Sequence, residues 1–318
     1  MADLVPRKPV TVPDIMARKR DGVPVVMLTA YDATFTRLAD ACDVDIVLVG
    51  DSLGMVIQGR DHTLEVTVDD MIYHARCVRR ALRYAHMTVD MPFMSYQVSV
   101  DKALENAGRL VKEGGAASVK LEGGARAVPA IEAIVAAGIP VMGHLGLTPQ
   151  SVHAFGGFKV QAREREAADL LRREAILLEQ AGCFAIVLEG IPATLATEVS
   201  ASLDIPTIGI GAGVGCDGQV LVMQDVLGLD DSFKPKFVKR YAELADVVRG
   251  AFNAYAAEVR SRAFPGPEHT FKTRKTRKSK SKSSSGSGGG SGAEKAETPP
   301  TSGAQNPEPN QRTGYGPS

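Results

Sequence analysis

Eight short apolar runs recur along the chain, most of them separated by a longer stretch of helical periodicity. This rhythm limits the fold more than any other feature. The runs are VVMLTA (25–30), IVLVG (46–50), MTVDMP (87–92), ASVKLEG (117–123), IPVMGHLG (139–146), FAIVLEG (184–190), IPTIGIGAG (205–213) and QVLVMQD (219–225). Short apolar runs bounded by turn residues and rich in Val and Ile read as strands buried on both faces. Between them lie DATFTRLADACD with Asp32 as N-cap, and TVDDMIYHARCVRRALRYA (67–85) behind a Thr/Asp cap. SVDKALENAGRLVKEGG (99–115) ends on Gly114, ARAVPAIEAIVAAG is interrupted near Pro129, REREAADLLRREAILLEQAG spans 163–182, and Pro192 opens IPATLATEVSASL. Caps and breakers of these kinds mark helix ends. Strands alternating with helices predict a parallel α/β fold, and the count of eight favours a closed (β/α)8 TIM barrel over a doubly wound sheet. The dinucleotide fingerprint G-x-G-x-x-G is missing after the first strand, where VMLTAYDATF has no glycine. The glycines of IGIGAGVG (208–215) come at the seventh strand and read as a tight strand-to-loop turn. The 318 residues therefore predict one barrel domain over 1–268, since such a barrel takes about 250 residues.

The remainder, 269–318, has a different composition. FKTRKTRKSKSK (271–282) is followed by SSSGSGGGSG and a Pro-rich end, which predicts a disordered tail. Charge separates in the same way: the tail carries a net +6 and residues 1–268 a net −6, so the whole chain is neutral. An acidic body argues against a nucleic-acid-binding protein, leaving at most a weak contact of the basic tail with an anionic surface or nucleic acid. Cys42, Cys77, Cys183 and Cys216 form no C-x-x-C pair, which excludes zinc-ribbon and thioredoxin-type motifs and suits a reducing compartment. The first twenty residues lack the apolar segment of a secretory signal, and no stretch approaches a membrane span. A cytoplasmic protein without a membrane partner is expected.

What ends each apolar run points to chemistry. The second run ends in Asp51 and Ser52, the third in Asp90, and the fourth carries Lys120 and Glu122. The fifth ends in His144 and the sixth in Glu189. In a (β/α)8 barrel the C-terminal strand ends converge on one face, so residues distant in sequence share a pocket there. Any one polar strand end could simply cap the next helix. Four carboxylates in one pocket repel one another unless a cation or the lysine neutralises them. Asp51, Asp90 and Glu122 are hard oxygen donors that suit Mg2+ or Mn2+ rather than zinc. A 2-oxo acid could chelate such an ion, which would acidify its neighbouring C–H. Glu189, on a separate strand, is then the candidate general base.

Several ordered blocks resemble the ketopantoate hydroxymethyltransferase family. They are VGDSLGMVIQG, VTVDDMIYH, DMPFMSY, VKLEGG, GHLGLTPQSVHAFGGFKVQ, VLEGIP, IGIGAG and DGQVLVMQDVLG, within a match running from about residue 10 to FPGPEHTF near 271. The resemblance implies a barrel of the phosphoenolpyruvate-mutase type, assembled as a homodecamer of two pentameric rings. It implies transfer of the one-carbon unit of 5,10-methylenetetrahydrofolate to 3-methyl-2-oxobutanoate through a metal-stabilised enolate, giving 2-dehydropantoate and tetrahydrofolate for pantothenate biosynthesis. Mg2+ would be held by Asp51, Asp90 and Glu122. The oxo acid would contact Asp51, Ser52, Asp90 and Lys120, with His144 nearby, and Glu189 would accept the proton. His144 could equally be a satisfied barrel-end histidine, and HAFGGFKVQ (153–161) either a mobile cover or a tight loop. One family block often written with Cys before its Pro reads LEGIP here, with Gly190, and no chemical effect is expected of the change. Two other enzymes would use the same residue types: a Schiff-base aldolase acting through Lys120, and a metal-dependent C–C lyase of the same superfamily acting on a 2-oxo acid.

Overall fold

The computed structural model describes residues 7–230 and 235–272. Each of the eight expected runs contains one strand: β1 (Val25–Thr29), β2 (Ile46–Val49), β3 (His86–Asp90), β4 (Ser118–Lys120), β5 (Val141–Gly146), β6 (Ala185–Glu189), β7 (Thr207–Ile210) and β8 (Gly218–Leu221). All neighbouring pairs are parallel, and β8 pairs back onto β1, so the sheet closes as a barrel in sequence order. Helix α1 (Val12–Asp21) precedes β1, and α2 (Ala33–Asp40) joins β1 to β2. Helices α3 (Leu53–Val56) and α4 (Val68–Arg79) lead to β3, α5 (Val100–Lys112) to β4, and α6 (Val128–Ala136) to β5. Helices α7 (Val152–Phe155) and α8 (Arg165–Gln180) lead to β6, and α9 (Ala193–Ser202) to β7. Among the described residues no helix joins β7 to β8; α10 (Met223–Leu227) and α11 (Leu244–Ser261) follow the barrel. The chain divides after Phe264. Of the unit that begins at Pro265, the described part carries one short turn, Pro267–His269. From residue 273 onward the basic and Gly/Ser-rich tail lies outside the described residues.

Alternation along the strands sorts side chains into two cores. Val25, Met27, Ile46, Leu48, Met142, Ala185, Val187, Ile208 and Val220 fill the barrel interior. Val47, Val49, Met87, Val89, Val119, Val141, Ile186 and Leu188 face outward against the helices. Helix α1, which the sequence reading passed over, closes the N-terminal mouth of the barrel. Its Ile15 is fully buried among the interior residues. A Thr11/Asp14 capping box starts the helix. Arg18 pairs with Asp45, just before β2, and Lys19 lies 2.8 Å from Asp217, just before β8. Asp45 also accepts from the Val26 N–H, and Asp217 from the Thr207 N–H.

Three local expectations change. The helix expected over 67–85 stops at Arg79. The buried Asp40 carboxylate accepts the backbone N–H groups of Arg83, Tyr84 and Ala85 and draws that segment out of helical register toward β3. Pro129 does not interrupt a helix. It sits in the first turn of α6, after a 3-10 turn at Ala125–Ala127, where its missing N–H costs nothing. The left-handed residue after α5 is Gly115 rather than Gly114.

A polar layer crosses the barrel interior. His86 Nε2 and Thr88 Oγ1 each lie 2.9 Å from Ser118 Oγ. Burial pushes the His86 imidazole down to about 4 from its ordinary 6.5. The unfolded ring therefore takes up a proton that the folded ring refuses until about pH 4. The stabilisation is complete above pH 6.5 and is lost as pH falls from there toward 4, by about 3 kcal/mol at most. Denaturant unfolding at about pH 7.5 and about pH 4.5 should show a larger loss for the parent than for His86→Gln. Equal losses would mean that His86 is not held neutral.

Candidate active site

The same alternation that fills the interior carries polar groups to its upper end. Asp90, Lys120, His144 and Glu189 continue the inward-facing rows of β3, β4, β5 and β6, and Glu122 follows two residues after Lys120. Asp51 breaks the alternation because the chain turns at Gly50, where a Cβ would stand 2.7 Å from Ser52 Oγ and 3.5 Å from Asp90 Oδ2. Glycine here lets the β2 tip lie against the β3 tip, and Asp90 Oδ2 accepts the Asp51 N–H at 3.1 Å.

Lys120 Nζ lies 3.0 Å from Asp90 Oδ1 and 3.2 Å from His144 Nδ1. Burial alone would lower its ammonium, but Asp90, Glu122 and Asp51 together hold it above the ordinary lysine range. Burial, with the charges of Asp90 and Glu122, pushes the Asp51 carboxyl well above the usual carboxylate range. His144 lies between two acids, with Nδ1 3.5 Å from Glu122 Oε1 and Nε2 3.2 Å from Glu189 Oε2. Burial and Lys120 disfavour its charged form, yet Glu122 and Glu189 outweigh them and raise it. An ammonium only donates, so in neutral His144 Nδ1 accepts and the proton sits on Nε2, facing Glu189. Ser52 Oγ is 2.8 Å from the Tyr31 hydroxyl. The sequence-derived residues Asp51, Ser52, Asp90, Lys120, Glu122, His144 and Glu189 all line one cleft.

The donor set fits a small hard cation held by two carboxylates. Asp90 Oδ1 is buried without a hydrogen bond, its contact with Lys120 being an ion pair only. Asp51 stands beside it. Glu122, the third carboxylate expected at the ion, lines the same cleft, and its charge helps to raise the Asp51 carboxyl. Its Oε2 accepts the Gln150 N–H at 3.0 Å, and its Oε1 lies 3.5 Å from His144 Nδ1. Mg2+ is commonly bound through one or two carboxylates, with water and substrate completing its shell, so the Asp51–Asp90 pair suffices.

The family model described as ketopantoate hydroxymethyltransferase matches residues 9–267. The chain belongs to the ketopantoate hydroxymethyltransferase family. A 3-methyl-2-oxobutanoate hydroxymethyltransferase of Pelobacter propionicus is 56% identical over 271 residues, covering 85% of this chain and 100% of the relative. One from Clostridioides difficile is 52% identical over 261 residues, covering 82% and 95%. Among solved structures, phosphonopyruvate hydrolase in complex with oxalate and Mg2+ superposes with a TM-score of 0.54 at 12% identity, covering 82% of this chain and 93% of its own. 2,3-Dimethylmalate lyase, a PEP mutase/isocitrate lyase superfamily member, gives 0.53 at 14%, covering 81% and 88%. These two show the barrel type alone.

This hydroxymethyltransferase-family site contains residues that strand ends do not reveal. Gln150 donates to Asp51 Oδ2 and to the Met91 carbonyl, each at 2.9 Å. Its Oε1 accepts from the Tyr96 hydroxyl at 2.8 Å, and Tyr96 in turn lies 3.0 Å from the Glu122 N–H, which donates to it. One carboxamide thus ties the tips of β2, β3 and β4 together. Gln150 lies in a 3-10 turn beyond β5, where no periodicity marks it; only its place six residues after His144, inside a family block, was a signal. The segment HAFGGFKVQ, expected as either a mobile cover or a tight loop, places Phe158 on the cleft wall, and its Gln161 N–H donates to the Gly190 carbonyl at 2.8 Å. Gly190 itself has φ +56, a left-handed backbone that glycine adopts without strain.

Proposed function

We propose that the protein transfers the one-carbon unit of 5,10-methylenetetrahydrofolate to 3-methyl-2-oxobutanoate, giving 2-dehydropantoate and tetrahydrofolate in pantothenate biosynthesis. The observation that carries this is the pairing of functions in one cleft. An Asp51–Asp90 oxygen pair and the Lys120 ammonium lie on one side, and the more exposed carboxylate of Glu189 on the other. A Mg2+ held by Asp51 and Asp90 would act as a Lewis acid toward the 2-oxo acid and acidify its C3–H. The presence of oxalate and Mg2+ together in a fold neighbour supports that choice of ion.

Lys120 and Ser52 hold the acid's carboxylate end. A Glu189 oxygen takes the C3 proton, and His144 Nε2 stands 3.2 Å from the same carboxylate. Glu122 adds a third carboxylate beside the Asp51–Asp90 pair, and Gln150 holds the Asp51-bearing tip in place. The C3 carbon of the enolate then bonds to the donor's methylene carbon, and water supplies the hydroxyl oxygen as tetrahydrofolate leaves. The proposal carries the family's cytoplasmic homodecamer with it. Helix α11 supports an assembly, since it has no buried residue and exposes Phe252 to 68% along with Val247 and Tyr255.

Deuterium exchange at C3 of 3-methyl-2-oxobutanoate, followed by NMR, tests the first half of the reaction. Exchange should occur with Mg2+ and stop with excess EDTA. If neither Mg2+ nor added tetrahydrofolate brings it about, the strand-tip cluster serves a different substrate.

A further inference from the structure

Ser52 stands at the N-terminal end of α3, where a serine ordinarily accepts a backbone N–H of the first turn. Its side chain makes no such bond. Its Oγ lies instead 2.8 Å from the hydroxyl of Tyr31, a residue that is 1% exposed. Ser52 lines the cleft and Tyr31 does not. We infer that Tyr31 is a positioning residue for the 2-oxo acid: its hydroxyl donates to Ser52 Oγ and so turns the serine's own proton toward the substrate carboxylate. This rests on the function proposed above, in which Ser52 meets that carboxylate, and adds the group that sets the direction of the serine's bond.

The direction follows from what each oxygen can do. A carboxylate only accepts, so a serine that holds one must direct its single proton to it. Ser52 Oγ is then an acceptor toward Tyr31, and the phenol must be the donor. Burial, with the negative charges of Asp90 and Asp51, holds the Tyr31 hydroxyl above the ordinary tyrosine range against its contacts with Ser52 and Thr29, so it keeps the proton it has to give. Thr29 Oγ1 is itself occupied on one side, accepting the Met223 N–H at 3.0 Å. Hydrogen bonds linked in one direction polarise one another, so a serine that accepts from the phenol is the better donor.

The backbone keeps the tyrosine in place from the other side. The Tyr31 carbonyl lies 2.7 Å from His74 Nδ1 in α4, and since a carbonyl only accepts, that nitrogen donates. The Ala30 N–H donates to the Leu48 carbonyl of β2 at 3.0 Å. Both contacts fix the turn after β1 on which the ring stands. Phenylalanine would fill the same space, so packing alone does not explain the hydroxyl.

Binding of 3-methyl-2-oxobutanoate to the full chain with Mg2+, together with C3–H exchange, tests the assignment. Tyr31→Phe should weaken binding about tenfold and raise KM for exchange by a similar factor, with a smaller fall in kcat, because the carboxylate contact is present before proton transfer as well as during it. In a Ser52→Ala background the same change should cost little, since the two substitutions delete one chain of bonds. Parent-like affinity in Tyr31→Phe, or a penalty undiminished by Ser52→Ala, overturns the positioning role. A Tyr31→Phe protein that did not fold would make the hydroxyl structural and overturn it too. Failure of the parent to bind the oxo acid would overturn the proposed function instead.

Discussion

Glu189→Gln should retain binding of 3-methyl-2-oxobutanoate and lose C3–H exchange by about 100- to 10,000-fold, the range for removal of a positioned general base. The substitution keeps the shape of the side chain. Its carboxamide can still face His144, whose Nε2 lies 3.2 Å from Glu189 Oε2 in the parent. What disappears is the basic lone pair. Accessibility separates Glu189 from its neighbours: its side chain is 17% exposed, whereas those of Glu122 and His144 are 3% exposed. A base must reach a substrate carbon, and among these groups that line the cleft Glu189 is the most accessible. Exchange at the parent rate in Glu189→Gln would remove it as the proton acceptor. NMR exchange and equilibrium binding on the same preparation separate loss of chemistry from loss of substrate.

Lys120→Met should be the most destabilising substitution in the site. It removes the ammonium 3.0 Å from Asp90 while leaving Asp51, Asp90 and Glu122 buried. Breaking a buried pair by deleting one partner costs about 3–5 kcal/mol. For a domain of this size that corresponds to a fall in Tm of about 10 °C. Mg2+ should raise the Tm of the variant more than that of the parent, because added positive charge replaces what was lost. A melt unchanged from the parent would show that the ammonium does not neutralise the cluster. The same pairing bears on the Schiff-base alternative. A lysine held protonated by three carboxylates is a poor nucleophile, so borohydride with the oxo acid should leave Lys120 unlabelled. Irreversible labelling there would replace the enolate chemistry with imine chemistry.

The barrel and most of its cleft were legible because one alternation governs both. Asp90, Lys120, His144 and Glu189 are the last inward positions of runs whose earlier members fill the interior, so reading the strands also located the chemistry. Acids at the opposite strand ends escaped notice for the same reason. Asp45 and Asp217 precede β2 and β8 and resemble tip residues in composition, yet they bind backbone N–H groups and the cations of α1. Asp225 was read as the end of an eighth strand, but β8 stops at Leu221 and the Met223 N–H donates to Thr29 Oγ1 as α10 begins. Gln150 was invisible because its partners are brought together by closure of the barrel, which no local pattern encodes.

The helix that closes the barrel floor has a temporal consequence. Its anchors belong to opposite ends of the barrel sequence, Asp45 just before β2 and Asp217 just before β8, and β1 completes its pairing only with β8. On the ribosome, α1 emerges first but must wait for residue 221 before its seat exists. At about 5–20 residues per second that wait lasts on the order of ten to forty seconds. Through this interval Ile15 and the free edge of β1 stay exposed, so the nascent chain is most prone to aggregation just before its last strand arrives.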